Sequence, residues 1–288
     1  QESPLIAKRI GDAEIVVMNK TPISKETIDK CPNIKLIAVL ATGYNVVDYN
    51  YAKEKGIPVC NVPTYGTASV SQFSIALLLE ICHHIGHHSE SVHAGNWANN
   101  ADWCYWDYPL MELDGKTMGI IGFGRIGQRV GELGRAFKMN IVAYDPFLPD
   151  DVFKQQCATK ASIDELIKVA DFISIHVPLT PETKNLFNKK SIAEMKDGAV
   201  VLNMSRGGIV NEADMYEALK EGRIGGYAAD VMENELAGSG LTGNDTFASP
   251  LFECDNFIVS PHIGAQSVDA SKDIGVHIVA KVKEALGL

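Results

Sequence analysis

Short apolar runs alternate with helical patterns along most of this chain. In the first sixty residues, apolar runs predict strands at 14–18, 35–40 and 57–60, and helical spacing predicts helices from Ser24 and over 47–55. Beyond residue 116 the pattern predicts six strands separated by four helices: strands 117–121, 141–145, 172–177, 199–203, 226–231 and 257–260, and helices 126–138, 162–169, 191–195 and 214–221. This alternation predicts an α/β protein with two doubly wound parallel sheets.

Three stretches lie outside this alternation. Residues 67–93 contain no proline and predict one long helix, apolar nearly all round in its middle, which we expect to be buried between domains. Residues 94–110 hold three tryptophans without periodicity, which indicates a functional loop, an oligomer contact or a hydrophobic lid on its own domain. From about Ala265 an amphipathic helix is expected to return to the first domain. The chain opens on what looks like the end of a helix, which leaves open whether a strand precedes it.

A glycine pattern follows the predicted strand 117–121. Gly122, Gly124 and Gly127 form G-x-G-x-x-G, and Arg125 and Ile126 lie where the next helix begins. In a strand-turn-helix unit, such glycines permit a tight turn, close approach of a pyrophosphate, and packing of the helix on the sheet. The free N–H groups at the helix N-terminus then favour the anion.

An acidic residue ends the following strand. Asp145 lies 23 positions after Gly122, close to the ~20 expected for a residue that binds the adenosine ribose. Its carboxylate can accept hydrogen bonds from both ribose hydroxyls and would repel a 2′-phosphate. The pattern therefore predicts a Rossmann-like dinucleotide-binding domain that prefers NAD to NADP.

Composition excludes several classes of protein. The 288 residues carry a net charge of −10, which argues against a nucleic-acid-binding surface. No apolar run approaches the ~18–20 residues that span a membrane, and the start shows no signal-peptide pattern. The six cysteines are scattered without a C-x-x-C pair. They indicate reduced thiols and a cytoplasmic location, rather than disulfides or a zinc site.

Chemically versatile side chains follow the later strands of the second sheet. Arg206, Glu235 and His262 each come after a different strand, and ligands bind beyond the carboxyl ends of such strands. A guanidinium can clamp a carboxylate, and an imidazole can exchange a proton with a hydroxyl. A carboxylate can orient that imidazole, while a nicotinamide supplies hydride. Taken singly, each residue also fits a plain role: a surface arginine, an exposed glutamate, a core histidine.

The chain resembles the D-isomer-specific 2-hydroxyacid dehydrogenase family over nearly its whole length. The stretches that carry the resemblance are 122–127, 176–180, 202–208, 229–231, Glu235 and 260–262. The resemblance implies that Arg206 clamps the substrate and that His262 is the acid/base, with Glu235 as its partner. One departure is Leu236, where the family often has a proline after the catalytic glutamate.

The resemblance also implies the binding residues and the architecture. Asp145 would bind the adenosine ribose and Asp230 the nicotinamide carboxamide, in a cofactor site that also contains Gly122, Gly124, Arg125, Ile126, Gly127, His176, Val177, Pro178, Thr183 and Asn203. Backbone N–H groups of Ala41, Thr42, Gly43 and Tyr44 would bind the substrate carboxylate. The implied domains are a substrate domain, 1–93 with 266–288, and an NAD-binding Rossmann domain, 94–265. In the family the cleft between them closes on the substrate and the active form is usually a dimer, so the resemblance implies a homodimer.

Three functions remain open on this basis. The first is NADH-linked reduction of a small 2-keto acid, of the hydroxypyruvate or glyoxylate type, to the D-2-hydroxy acid. The second is an NAD(H)-sensing, corepressor-like binding protein of the same fold, and the third is oxidation of formate or phosphite.

A histidine cluster lies on the predicted long helix. His83, His84, His87 and His88 form two i,i+4 pairs, a spacing that can hold zinc or nickel. The pairs point to adjacent faces, and no cysteine or carboxylate completes a site except Glu90. We therefore expect no metal there, and interpret the cluster as the polar end of the helix near the oligomer interface.

Overall fold

The computed structural model describes residues 5–235 and 248–287. Contacts divide the chain into two compact units. Unit 1 comprises Gln1–Ser69, Asn234–Phe247 and Ala265–Leu288, and unit 2 comprises Val70–Glu233 and Ala248–Gly264. The functional domains expected at 1–93 with 266–288 and at 94–265 stay a prediction.

The described helices and strands follow one another as the sequence pattern predicts, with a few additions. They are α1 Leu5–Ile10, β1 Ile15–Met18, α2 Lys25–Lys30, β2 Leu36–Val39, α3 Tyr49–Glu54, β3 Val59–Asn61, α4 Gly66–His83, α5 Ile85–His93, β4 Thr117–Ile121, α6 Arg125–Ala136, β5 Asn140–Tyr144, α7 Asp150–Gln155, β6 Thr159–Lys160, α8 Ile163–Val169, β7 Phe172–Ile175, α9 Lys189–Glu194, β8 Ala199–Asn203, α10 Glu212–Lys220, β9 Ile224–Ala229, β10 Phe257–Val259 and α11 Val268–Leu286. Short 3₁₀ turns occupy Gly207–Ile209 and Pro250–Glu253.

Unit 1 contains a parallel sheet in the order β1-β2-β3. Ser24 caps α2 by accepting a hydrogen bond from the backbone N–H of Thr27 at 3.2 Å, so the predicted start of this helix is confirmed. Helix α11 packs on β2 and β3, where Ile278 is buried with Ala38 and Val62.

Unit 2 contains a seven-stranded sheet in which every described pairing is parallel. Its order is β10-β9-β8-β7-β4-β5-β6. Both faces are buried, because Ile120 of β4 packs in a core with Leu78 and Val130, whereas its neighbour Ile121 packs in a second core with Leu166. The α/β fold with parallel sheets flanked by helices is therefore confirmed. The chain continues from β4 to β5 on one side and β7 lies on the other, so the topological switch point lies between β4 and β7.

The expectation of six strands in the second sheet was wrong, because the sheet has a seventh strand, β6, at one edge. Strand β6 has only two residues, both exposed, so it leaves no periodic pattern in the sequence. Helix α7, which precedes it, was not predicted either; it is a six-residue element with one buried side chain, Phe153.

The expectation of one helix over 67–93 was also wrong. The chain breaks at His84, which adopts a left-handed conformation (φ +47°), and α4 and α5 are bent by 58°. The His84 ring stacks on Tyr108 with centroids 4.3 Å apart, a tertiary contact that helical periodicity does not register. Among the described residues no single helix is long and apolar enough to cross a membrane, and α4 and α5 pass that test only as this bent pair.

The aromatic segment 94–110 contains neither helix nor strand, as expected. Trp103 is 89% exposed and Trp106 is 67% exposed, which disagrees with a lid packed on its own domain. The Trp97 indole donates to the Trp103 carbonyl at 2.9 Å, so the segment is organised by its own contacts. The functional-loop and oligomer-contact interpretations stay predictions.

Candidate active site

The predicted site residues of unit 2 follow the carboxyl ends of its strands. Gly122 follows β4, Asp145 follows β5 and His176 follows β7, while Arg206, Asp230 and His262 follow β8, β9 and β10. Because these strands are parallel, all six ends meet at one edge of the sheet. Glu235 and residues 41–44 belong to the contact group of unit 1.

The glycine turn after β4 requires glycine at two positions and leaves space at the third. Gly122 has φ +92°, and a Cβ there would lie 2.7 Å from the carbonyl carbon of His176. A Cβ at Gly127 would overlap the Gly122 carbonyl oxygen. Gly124 caps α6 without a side-chain hydrogen bond, and nothing lies within 4 Å of where its Cβ would be. The turn therefore fits a pyrophosphate at the N-terminus of α6, where Arg125 and Ile126 begin the helix.

Asp145 is held at this turn by backbone contacts. Its Oδ2 accepts a hydrogen bond from the N–H of Phe123 at 3.1 Å, and its Oδ1 accepts one from Phe147 at 3.0 Å. Each carboxylate oxygen has a second lone pair, so both can accept another donor. A half-buried carboxylate oriented in this way fits the ribose hydroxyls of a dinucleotide.

The loop after β7 makes hydrogen bonds to the end of β4, before the glycine turn, and to the loop after β8. The N–H of His176 donates to the Ile121 carbonyl at 2.7 Å, and burial lowers the pKa of His176 to about 4, so its ring is neutral at pH 7. The carbonyl of Val177 accepts a hydrogen bond from the Ser205 hydroxyl. The hydroxyl of Thr183 donates to the Pro178 carbonyl at 2.6 Å. These contacts give the loop a defined path beside the turn.

Asn203 shapes the loop that carries Arg206. Its buried side-chain amide donates to the Arg206 carbonyl at 2.8 Å, and its Oδ1 accepts from the N–H of Ser205 at 3.1 Å. The half-buried guanidinium of Arg206 donates to the Ser205 carbonyl at 2.8 Å. The side chain of Asn203 thus organises the Arg206 loop, and its predicted place in the cofactor site stays a prediction.

Asp230 holds the loop that carries His262. Its Oδ1 accepts hydrogen bonds from the Ser260 hydroxyl at 2.6 Å and the Ile263 N–H at 2.8 Å, and its Oδ2 accepts one from the Gly264 N–H at 2.7 Å. Between these donors His262 adopts a left-handed backbone conformation with φ +55°. Such a conformation is costly for a non-glycine residue and needs support from its surroundings. The nearly buried carboxylate supplies that support, a role that the sequence pattern did not reveal.

The loop 41–44 was predicted as the substrate-carboxylate site and lies in unit 1. The carbonyl of Thr42 accepts from the side-chain amide of Asn61 at 2.7 Å, and its hydroxyl donates to the Val62 carbonyl at 3.3 Å. Tyr44 is 44% exposed and its ring contacts Tyr49. Ala41 packs on the core of this unit and Gly43 lies in irregular backbone, and binding of a carboxylate by this loop stays a prediction.

The histidine cluster ties the break between α4 and α5 to the aromatic segment. His87 Nε2 lies 2.7 Å from Asp107 Oδ2, and His88 Nε2 accepts from the backbone N–H of Asp107 at 3.2 Å. Within residues 5–235 and 248–287, no group of three or more His, Cys, Asp or Glu side chains could hold a metal ion.

Known proteins resemble the chain along most of its length. Residues 75–264 match the model of the D-isomer specific 2-hydroxyacid dehydrogenase NAD binding domain. A hydroxypyruvate reductase of Blautia hydrogenotrophica is 50% identical over 275 residues, which cover 94% of this chain and 83% of that protein. A glycerate dehydrogenase of Methylorubrum extorquens is 34% identical over 278 residues, covering 96% and 84%.

A solved structure agrees with these sequence matches. D-lactate dehydrogenase from Aquifex aeolicus, complexed with NAD and lactic acid, superposes with a TM-score of 0.85 at 30% identity, covering 98% of this chain and 85% of that one. The chain therefore belongs to the D-isomer specific 2-hydroxyacid dehydrogenase family and is an NAD-dependent oxidoreductase that acts on a small 2-hydroxy or 2-keto acid.

Proposed function

We propose that this protein reduces a small 2-keto acid, hydroxypyruvate or glyoxylate, to the D-2-hydroxy acid with NADH. The observation that carries the proposal is that the glycine turn, the guanidinium of Arg206 and the imidazole of His262 all follow carboxyl ends of the parallel strands of unit 2. The 50% identity with a hydroxypyruvate reductase supports this choice of substrate.

In the proposed mechanism, Arg206 binds the substrate carboxylate and polarises the keto oxygen through charge-assisted hydrogen bonds. Backbone N–H groups of residues 41–44 bind the same carboxylate. The reduced nicotinamide supplies hydride to the keto carbon when bound. His262, protonated beforehand, donates its proton to the keto oxygen, and Glu235 stabilises the imidazolium. One keto acid, one NADH and one proton thus yield one hydroxy acid and NAD.

The choice of NADH over NADPH rests on Asp145. Its carboxylate can accept from the ribose hydroxyls, whereas a 2′-phosphate would meet a like charge. We also propose a cytoplasmic location, since all six cysteines are free thiols. A homodimer is proposed as the active form, and the exposed tryptophans of 94–110 are the candidate contact.

A panel of 2-keto acids, followed by NADH absorbance, tests the activity. We expect turnover of hydroxypyruvate and glyoxylate, and loss of it in His262→Ala with NADH affinity nearly unchanged, because the imidazole supplies a proton and no cofactor contact. If the wild type binds NADH but reduces no member of the panel, the sensing function is supported instead. A His262→Ala variant with wild-type rates would contradict the mechanism.

A further inference from the structure

One carboxylate of unit 2 connects three distant stretches of the chain. Glu212 is the first residue of α10, and its Oε1 accepts a hydrogen bond from the backbone N–H of Glu233 at 2.6 Å. Its Oε2 accepts one from the Ser249 hydroxyl at 3.1 Å. These partners lie 21 and 37 residues further along the chain. A first-turn acid of a helix needs no such contacts, so Glu212 has a tertiary role.

The two partners of Glu212 mark the points where the chain leaves and re-enters unit 2. Glu233 is the last residue of the first stretch of unit 2, Val70–Glu233, and Ser249 is the second residue of its final stretch, Ala248–Gly264. Glu235 lies two residues beyond Glu233, at most ~7 Å along the backbone. The Glu212 carboxylate therefore holds the backbone two residues before Glu235, and it also binds the side chain of Ser249 in the final stretch of the unit.

The Arg206 loop contacts the backbone of Met232 and Glu233, which we call the stem. A Cβ on Gly207 would overlap the carbonyl of Met232 and crowd the nitrogen of Glu233, so the two backbones are in close contact. The stem is thus held between Gly207, next to Arg206, and the carboxylate of Glu212. Its position relative to Arg206 is defined on both sides.

The charged form of Glu212 is partly desolvated at this position. Burial raises the pKa of Glu212, and the nearby charge of Glu233 raises that pKa too, while the two hydrogen bonds act in the opposite direction. The two hydrogen bonds to Glu212 therefore offset part of the cost of placing a half-buried carboxylate beside a like charge.

We propose that Glu212 is a positioning residue for the reduction, acting through Glu235 by fixing residue 233. This inference rests on the proposed function, in which Glu235 stabilises the protonated His262. Loss of the Glu212 carboxylate would leave the folded unit and the cofactor turn in place but let the peptide before Glu235 move.

The test compares two carboxylates of the same helix. Glu212→Ala removes the contact to Glu233, whereas Asp214→Ala removes an equivalent acceptor of a backbone N–H, from Lys189 at 2.8 Å, on a different part of the unit. We expect kcat on the best keto acid to fall about 10- to 100-fold in Glu212→Ala and to stay within about twofold in Asp214→Ala. Affinity for NADH, from the fluorescence of the nucleotide, should change little in both.

Two further variants separate positioning from simple loss of stability. Glu212→Gln keeps an acceptor for the Glu233 N–H and should recover most of the lost kcat. In a Glu235→Gln background, Glu212→Ala should cause little additional loss, since its effect passes through Glu235. Equal kcat losses in Glu212→Ala and Asp214→Ala, or fully additive losses with Glu235→Gln, would overturn the inference. A wild type without turnover would instead overturn the proposed function.

Discussion

At the scale of single residues, backbone N–H groups orient two carboxylates of unit 2 that are predicted to contact the cofactor. Asp145 receives two backbone N–H groups, and Asp230 receives two together with the Ser260 hydroxyl. Both carboxylates therefore have a defined orientation without any bound ligand. Preorganisation of this kind lowers the cost of binding.

Asp145→Ala should relax discrimination against NADPH. The variant loses a contact to the ribose and a repulsion against the 2′-phosphate, together worth ~1–3 kcal/mol. The ratio of kcat/KM for NADH and NADPH measures the change. Asp150→Ala removes the same charge from an exposed position nearby, paired with Lys160, and should leave the ratio as it is. An unchanged ratio in Asp145→Ala would refute the assigned role.

At the scale of elements, the turn between β4 and α6 assigns different tasks to its glycines. Gly127 lets α6 lie against the turn, whereas Gly124 faces open space at the start of the helix. A methyl group on residue 127 would disturb packing inside the protein. A methyl group on residue 124 would disturb only a ligand that approaches the turn.

Gly124→Ala and Gly127→Ala should therefore separate binding from stability. Gly124→Ala should fold with nearly the wild-type free energy of unfolding but bind NADH at least ~10-fold more weakly, because its methyl group occupies the approach of the pyrophosphate. Gly127→Ala should lose ~1–3 kcal/mol or more of unfolding free energy through overpacking against the Gly122 carbonyl. Urea unfolding and nucleotide fluorescence measure the two quantities. Equal behaviour of the two variants would contradict this division.

Physical reasons explain which elements could be predicted from the sequence and which could not. Strands β4, β7 and β8 were predicted because both of their faces are buried, which leaves continuous apolar runs. The break at His84 was missed because a stacked tyrosine fixes it, without a proline or glycine at that position. Glu212 was missed because it resembles an ordinary acid of a first helical turn, and its partners are distant in sequence.

At the scale of the whole molecule, the lowered pKa of the half-buried His176 is expected to make stability depend on pH. The pKa of His176 is about 4 in the folded protein, against 6.5 as its ordinary value. Between these values the unfolded chain binds more protons than the folded one, so stability rises with pH in this window and falls on acidification.

The unfolding free energy should fall by about 2 kcal/mol between pH 7 and pH 5 on account of His176 alone, from ~1.4 kcal/mol for each unit of pKa shift. His176→Gln should be less sensitive to pH over this range, and His93→Gln, at an exposed position, should follow the wild type. Urea unfolding at the two pH values, followed by circular dichroism, tests the expectation. An identical slope in His176→Gln and wild type would show that the histidine is not responsible.

The exposed aromatic segment has a practical consequence for spectroscopy. All three tryptophans of the chain, Trp97, Trp103 and Trp106, lie within ten residues of one another and are at least half exposed. Tryptophan emission therefore reports on that short stretch alone, and acrylamide should quench it readily. A blue shift with rising protein concentration would signal that a second surface has covered it.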